Sequence, residues 1–319
     1  MYIIFVGIEL ERGFILRLRG NVILLIVAMI WGTAFVAQRA GMEYIGPFAY
    51  NGIRFTLGCL SLVPVIYYFR NDKKTYQAEE KSISVFKVGS IAGVIMFFAA
   101  SFQQIGLVYT TAGKGAFITC LYIILVPLAA IFLKKQISGN TWGGAALAVC
   151  GLYFLCVKNG FQIEYGDFIV LLCAFIWTTH ILFIDHYANS VDSIKLAFYQ
   201  FLVCALLSSS VAIAIETISW ASVVRAAVPI LYGGFLSVGV AFTLQIVGQK
   251  YAEPSHAAII MSMESVFGAL AGYLFLNEYM GLREVLGCLL MMFGMLITQV
   301  GGLADLKAKF KRQNKYNRL

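Results

Sequence analysis

Apolar residues run along this chain in long charge-free stretches, not in amphipathic stripes or short alternating strands. Crossing the hydrocarbon core of a bilayer takes about 20 mostly apolar residues, with roughly 17 to 25 tolerated. Ten stretches are candidates, the first and fifth of them short: Val22 to Ala40, Phe48 to Phe69, Phe86 to Leu107, Gly113 to Leu133, Trp142 to Val157, Phe168 to Tyr187, Ile194 to Ile218, Val228 to Val247, His256 to Phe275 and Val285 to Val300. Pro47, Pro229 and Pro254 precede spans, where a missing N–H costs little. Pro64 and Pro127 fall inside spans and predict kinks, Pro127 deep enough to mark a bend in the fourth. The fold class expected is an all-α integral membrane protein of ten transmembrane helices.

Composition agrees with a lipid solvent. Of 319 residues, 60% are hydrophobic and 13% charged, against roughly a quarter charged in soluble domains. The net charge of +8 does not call for a nucleic-acid partner. Most Lys and Arg lie before the first span, between Arg70 and Lys87, and after Asp305, where they face anionic headgroups. Seven cysteines, all within predicted helices and without C-x-x-C spacing, predict neither a disulfide framework nor a metal site. The first nineteen residues lack a compact apolar core and a small-residue cleavage site, so no removable signal peptide is expected. With both termini inside, inner segments hold eighteen Lys and Arg and outer segments five. That bias predicts a multi-pass protein of the cell (inner) membrane with cytoplasmic N and C termini.

The chain is similar to itself. A shift of 146 superposes Gly20, Ile23, Leu25, Ala28, Ile30, Trp31 and Thr33 on Gly166, Ile169, Leu171, Ala174, Ile176, Trp177 and Thr179. A shift of 142 aligns Gln103, Gly106, Tyr109, Ala116 and Ile118 with Gln245, Gly248, Tyr251, Ala258 and Ile260. Each copy holds five spans, and an odd number sends the second copy into the membrane from the opposite face. The expected organisation is a cytoplasmic segment (1–21), a first five-helix repeat (22–157), an external linker (158–165), a second repeat of inverted topology (166–303) and a basic cytoplasmic tail (304–319). Secondary transporters of this architecture bind near the midplane between repeats. Gly89-x-x-x-Gly93, Gly268-x-x-x-Gly272, and the pairs Gly144/Gly151 and Gly287/Gly294 mark predicted close helix contacts.

Three motifs carry a family resemblance: the Trp31 segment Ala-Met-Ile-Trp-Gly-Thr-Ala-Phe; the run from Gly106 to Ile118; and Met261-Ser-Met-Glu-Ser-Val-Phe267 followed by Leu276-Asn-Glu278. Over about residues 20 to 303 the chain resembles the ten-helix EamA-type proteins of the drug/metabolite transporter superfamily. The resemblance implies two five-helix repeats, cytoplasmic termini, and export or exchange of small organic solutes such as amino acids. Lys135-Gln136 stands in the first repeat where the second has Asn277-Glu278, a departure expected to concern a helix end.

Ionisable groups at membrane depth cost at least about 2.5 to 3.5 kcal/mol unless they face a wet cavity or a partner, so function is sought there. Glu264 lies eight residues into the ninth span, with Tyr122 at the equivalent place in the fourth. It is a candidate proton-coupling carboxylate or counter-charge for a substrate amine, or else a helix–helix contact. Lys114 and His256 open the fourth and ninth spans and are candidates for an anionic group, against interfacial snorkelling. Trp31 and Trp177, mid-membrane and repeat-related, line a cavity or pack. Arg54, repeat-related to Gln200, is a candidate for a substrate carboxylate or an internal acid. Gln103 and Gln245 bridge helices or hold a ligand. Arg39, Asp185 and His186 at span ends are expected to be loop-solvated.

No G-x-x-x-x-G-K-[ST] loop is present, so ATP hydrolysis is not expected. His180, Asp185 and His186 lack the companion motifs of a membrane-embedded enzyme, and no catalytic residues are assigned. A channel would present rings of repeated polar residues. The expected function is secondary transport by alternating access, as an exporter of an amino acid or similar solute. A drug or lipophilic-cation exporter is the alternative, with a membrane-embedded enzyme behind it. The partners expected are a small-molecule substrate, the bilayer and protons; no cofactor is expected, and no oligomer is required.

Overall fold

A computed structural model describes residues 2–69, 84–110, 112–135, 137–157, 164–275 and 280–298. Helices α1 (Tyr2–Gly41), α2 (Pro47–Phe69) and α3 (Val85–Tyr109) are continuous. Next come α4 (Ala112–Thr119), α5 (Tyr122–Phe132), α6 (Gly139–Cys156), α7 (Tyr165–Tyr187) and α8 (Ser193–Ile215). The short α9 (Trp220–Arg225) and α10 (Ala227–Leu231) lead into a π-helical segment, Tyr232–Phe242, continued by α11 (Thr243–Gln249). Then follow α12 (Pro254–Met261), α13 (Glu264–Phe275) and a last helix, α14, over residues 282–298. Helix starts carry local signals: Ser138 and Asp192 cap α6 and α8 through the backbone N–H of Thr141 and Lys195, and Glu164 with Asp167 forms a capping box on α7.

Among the described residues, seven helical stretches are long and apolar enough to cross a membrane: 15–41, 47–68, 85–109, 114–132, 165–187, 193–215 and 227–249. The chain is thus a multi-pass, all-helical membrane protein in its described residues. The other three expected spans are occupied by α6, by α12 with α13, and by α14.

Four details depart from the sequence expectations. The expected 1–21 segment is helical from Tyr2 and continuous with the first span, since α1 runs unbroken from Tyr2 to Gly41. The fourth span is interrupted at Cys120–Leu121, ahead of Pro127, which sits inside an intact α5. Cys120 therefore lies in a break between helices, and the six described cysteines are free thiols. The ninth span is interrupted at Ser262–Met263, and 120–121 and 262–263 correspond by the same shift of 142. Residues 158–163 of the expected linker (158–165), the Arg70–Lys81 loop, Gln136, the Leu276-Asn-Glu278 motif and the basic tail lie outside the described residues.

Lipid tails are as apolar as leucine, so helices in a bilayer are held by close packing more than by hydrophobic drive. The contacts follow that rule. A Cβ on Gly144 would lie 2.5 Å from the carbonyl oxygen of Gly294, and one on Gly151 2.5 Å from that of Gly287. The reciprocal additions at Gly294 and Gly287 meet the carbonyls of Gly144 and Gly151 at 2.5 and 2.6 Å. Helices α6 and α14 therefore touch backbone to backbone, through glycines related by a shift of 143. A second pair behaves likewise. Gly20 abuts Tyr251 and Gly248, while its counterpart Gly166 abuts Tyr109 and Gly106, the counterparts of those two residues.

Two buried apolar clusters flank the centre. One gathers Leu24, Ile123, Leu152, Ile259 and Met261; the other gathers Phe55, Met96, Trp177, Phe201 and Phe242. Trp31 packs against both.

Adding a methyl at the α6–α14 contact should be felt while one turn face away it should not. Gly144→Ala and Gly151→Ala are expected to lower thermal stability in detergent by about 1–3 kcal/mol through overpacking. Gly143→Ala, whose added Cβ meets nothing within 4 Å, should be neutral or gain about 0.4–1 kcal/mol. Equal effects at all three positions would contradict this packing.

Candidate functional site

Between the two clusters lies a cavity whose empty space, counted together with the open solvent at its mouth, is about 490 Å³. Helix α1 contributes Trp31, Phe35 and Gln38, α2 contributes Arg54, α3 Gln103, and α7 Trp177 and Ile181. Ser237 and Phe242 come from the π segment and Gln245 from α11. The two helix breaks supply the rest, Thr119 and Tyr122 from one and Met261 and Glu264 from the other. Seven of the nine residues singled out in the sequence therefore converge here: Glu264, Trp31, Trp177, Arg54, Tyr122, Gln103 and Gln245.

Lys114 and His256, both candidates for an anionic group of the solute, do not line the cavity. The Lys114 ammonium lies 3.4 Å from Glu164 and 3.5 Å from Asp167. Those acids open α7, where the helix dipole favours negative charge and a cation in turn is drawn in. Thr110 also donates a hydrogen bond to Asp167 at 2.5 Å. His256 Nε2 meets the Thr141 hydroxyl at 3.2 Å, joining the first turns of α12 and α6. Two span-end residues make contacts of their own while staying half-buried or exposed. Arg39 donates to the Leu107 carbonyl at 2.8 Å, and Asp185 pairs with Lys135 at 2.6 Å.

The helix breaks shape the site. Where a helix stops and restarts, its first N–H groups are unpaired within the helix, and such half-helix ends inside a membrane form binding sites. Glu264 is the first residue of α13 and Tyr122 the first of α5. The Tyr122 hydroxyl donates to Glu264 Oε1 at 3.0 Å, and the Cys120 thiol reaches the same oxygen at 3.2 Å. Cys120 is also 3.1 Å from the Ser265 hydroxyl, so the two breaks are stitched together. Glu264 is buried and receives only neutral donors among the described residues.

Arg54 is the opposite case. It is 2% exposed, and among the described residues it makes no ion pair. Its Nε has no hydrogen-bond partner. The guanidinium lies 5.3 Å from the Tyr50 ring centre and 5.0 Å from that of Phe55, a favourable but partial substitute for a counter-ion. A desolvated cation without an anion, opening onto a cavity, is an arrangement suited to an anionic ligand group.

An aromatic wall completes the cavity. Trp177 stacks on Phe242, with centroids 5.5 Å apart and planes at 20°, and Trp31 tilts on the same ring at 4.6 Å. The wider turn of a π segment loosens the carbonyl ladder, and here the Ser237 carbonyl accepts a hydrogen bond from Trp31 Nε1 at 3.3 Å. Gln103 donates to Thr119 at 3.3 Å, while Gln245 and Gln38 keep unpartnered amide oxygens.

Most of the lining comes in repeat-related pairs: Trp31 with Trp177 and Phe35 with Ile181 at a shift of 146, and Gln103 with Gln245, Thr119 with Met261 and Tyr122 with Glu264 at 142. Phe35, Ile181, Thr119 and Met261 were missed in the sequence, each being repeat-related only to another residue of this same set. Gln38, Ser237 and Phe242 carry no such signal. Charge breaks the symmetry, since Arg54 answers to Gln200 and Glu264 to Tyr122.

The profile of the EamA-like transporter family matches residues 18–157 and again residues 164–300. An "uncharacterized transporter" of Archaeoglobus fulgidus is 31% identical over 285 residues, covering 89% of this chain and 87% of the relative. "Uncharacterized transporter YoaV" of Bacillus subtilis is 22% identical over 281 residues, covering 84% of this chain and 92% of the relative. A solved crystal structure shares the fold at a TM-score of 0.73 and 19% identity, covering 88% of this chain and 96% of that one. With both halves matched and the full-length relative at that identity, the chain belongs to the EamA-like transporter family, within the drug/metabolite transporter superfamily.

Proposed function

We propose that this protein is a secondary transporter that carries a small organic solute, an amino acid or a close analogue, out of the cell by alternating access. The observation that carries this reading is the central cavity between two broken helices, where a buried cation, Arg54, and a buried carboxylate, Glu264, each lack an ionic partner among the described residues. An α-carboxylate would neutralise Arg54 and an α-ammonium would neutralise Glu264. In the absence of solute, Glu264 is the group placed to take a proton.

The reading includes ten spans arranged as two five-helix repeats of opposite topology, with cytoplasmic termini. Its supports are the twin breaks at 120–121 and 262–263, the reciprocal glycine contacts of α6 with α14, and the exchange of partners between Gly20 and Gly166. Pseudo-symmetric halves around a shared site allow two arrangements of nearly equal free energy, as a carrier requires. The aromatic wall favours a lipophilic cation as a second reading. Arg54 opposes that reading, since a cationic solute would meet a fixed positive charge.

Proteoliposome flux with a panel of amino acids, their amides and lipophilic cations tests the assignment. Saturable uptake that shows counterflow is expected for at least one amino acid, and no flux of any panel member, with or without a pH gradient, would sink it. Glu264→Gln is expected to abolish stimulation by a pH gradient and to weaken solute binding, because the solute's ammonium loses its counter-charge; unchanged pH-driven flux would remove Glu264 from coupling.

Replacing a lone buried charge by an apolar residue of similar volume removes a desolvation cost. Arg54→Met should therefore raise thermal stability in detergent by about 1 kcal/mol or more while reducing flux about 10- to 100-fold, the loss expected for a charged contact made directly to solute. Lower stability in that variant would mean that Arg54 has a structural partner.

A further inference from the structure

The repeat relation that pairs the cavity's walls also points to residues that the cavity does not reach. At a shift of 146, Arg54 and Gln38 answer to Gln200 and Ile184. The first two line the cavity; the second two are completely buried beside it. Next to Gln200 stands His180, also completely buried, its Nε2 3.2 Å from Gln200 Oε1. Neither side chain is satisfied by that one contact. Gln200 Nε2 and His180 Nδ1 are both buried without partners. Orphaned polar atoms in a dry interior are costly, and native proteins keep few of them. Two on adjacent side chains, in a membrane protein with an apolar cluster all around, call for a state in which they are satisfied.

Trp177 stands between this pair and the cavity. Its ring lines the cavity and meets the His180 ring edge-on at 5.5 Å. Rotation of that indole is the smallest change that would uncover the pair to the cavity. Each end of the molecule is also held by a comparable clasp. Arg39 on α1 donates to the Leu107 carbonyl at the end of α3, and Gln249, the counterpart of Leu107, donates to the carbonyl of Ile181 on α7 at 3.0 Å. If the halves exchange conformations, releasing the second clasp opens the side on which His180 and Gln200 lie.

We propose that His180 and Gln200 form a second solute subsite, closed here behind Trp177, which receives the same polar, hydrogen-bond-accepting head group that Arg54 holds and opens to the opposite side of the membrane. The proposal rests on the transport reading above. Its chemistry differs from that of Arg54 in one useful respect. The amide N–H of Gln200 offers a neutral donor where Arg54 offers a full charge, so an anionic or zwitterionic solute is held less tightly at the second subsite than at the first.

Cysteine accessibility tests this on the resting full chain, with its seven native cysteines replaced by serine or alanine. Arg54→Cys and Gln200→Cys are each treated with a membrane-impermeant maleimide from one side and then the other, in right-side-out and inverted vesicles. Position 54 should label from one side only, and position 200 only from the other, at least about tenfold more slowly because the opened form is a minor state. Labelling of position 200 from neither side, or from the side that labels position 54, overturns the proposal. Gln38→Cys and Ile184→Cys repeat the comparison should a variant at 54 or 200 fail to fold. On the unmodified background, Gln200→Leu should slow exchange at least tenfold without changing solute affinity measured from the Arg54 side; an unchanged exchange rate counts against the subsite. Accessibility needs no transported solute, so a failure of the subsite is distinct from a failure of the transport reading, which shows as absent flux.

Discussion

Close backbone approach between helices is the constraint on which everything else in this molecule depends. Lipid supplies no strong hydrophobic drive for helix association, so the contacts are made by removing side chains from the interface. At Gly144 and Gly151, opposite Gly294 and Gly287, even a single methyl group would have to displace backbone. Gly32 does the same work near the centre, where a Cβ would come within 2.7 Å of the Gly268 amide, beside Glu264. That contact presses α1 against α13 and brings Trp31 and Glu264 to one cavity. Where apolar side chains are abundant everywhere, glycine is what makes one helix neighbour differ from another.

Once helices are held this way, polar groups become affordable in a few central places. The interruptions of the fourth and ninth spans face one another, and Cys120, Tyr122, Glu264 and Ser265 bond across them. Unpaired backbone at a helix break is tolerated in a membrane only where protein or a wet cavity covers it. The symmetric pairs of the lining give the cavity its shape, and the unsymmetric Arg54 and Glu264 give it polarity. Symmetry is the mechanical contribution and its violation is the chemical one.

Hydropathy and self-similarity made much of this legible before any coordinates. The runs of apolar residues placed the helices, and the rule that intramembrane polar groups are expensive brought Arg54, Gln103, Tyr122, Gln245 and Glu264 together with the two tryptophans. The breaks were invisible because Thr119-Cys-Leu-Tyr122 and Met261-Ser-Met-Glu264 contain neither proline nor glycine. Pro127 drew attention to the wrong turn, since the interruption at Cys120 comes from bonds to residues 142 to 145 positions away, which no local propensity encodes. Lys114 was misplaced for a similar reason. Its partners Glu164 and Asp167 sit at the start of α7, and only the docking of that helix end on α4 brings them within reach. The π segment has three glycines, Gly233, Gly234 and Gly239, packed against α2, and its register is likewise a tertiary matter.

The central claim is that the two halves exchange shapes around the cavity, and distances at the two ends of the molecule report it. Spin labels at Glu43 and Tyr109 span the Arg39–Leu107 clasp, and labels at the repeat-related Asn189 and Tyr251 span the Gln249–Ile181 clasp. Pulsed electron–electron distance measurements on reconstituted protein, between pH 5 and 8 and with the amino-acid panel, are expected to show opposite changes, one pair lengthening as the other shortens. Distances that stay fixed at both ends, or that lengthen together, would contradict a carrier of this kind.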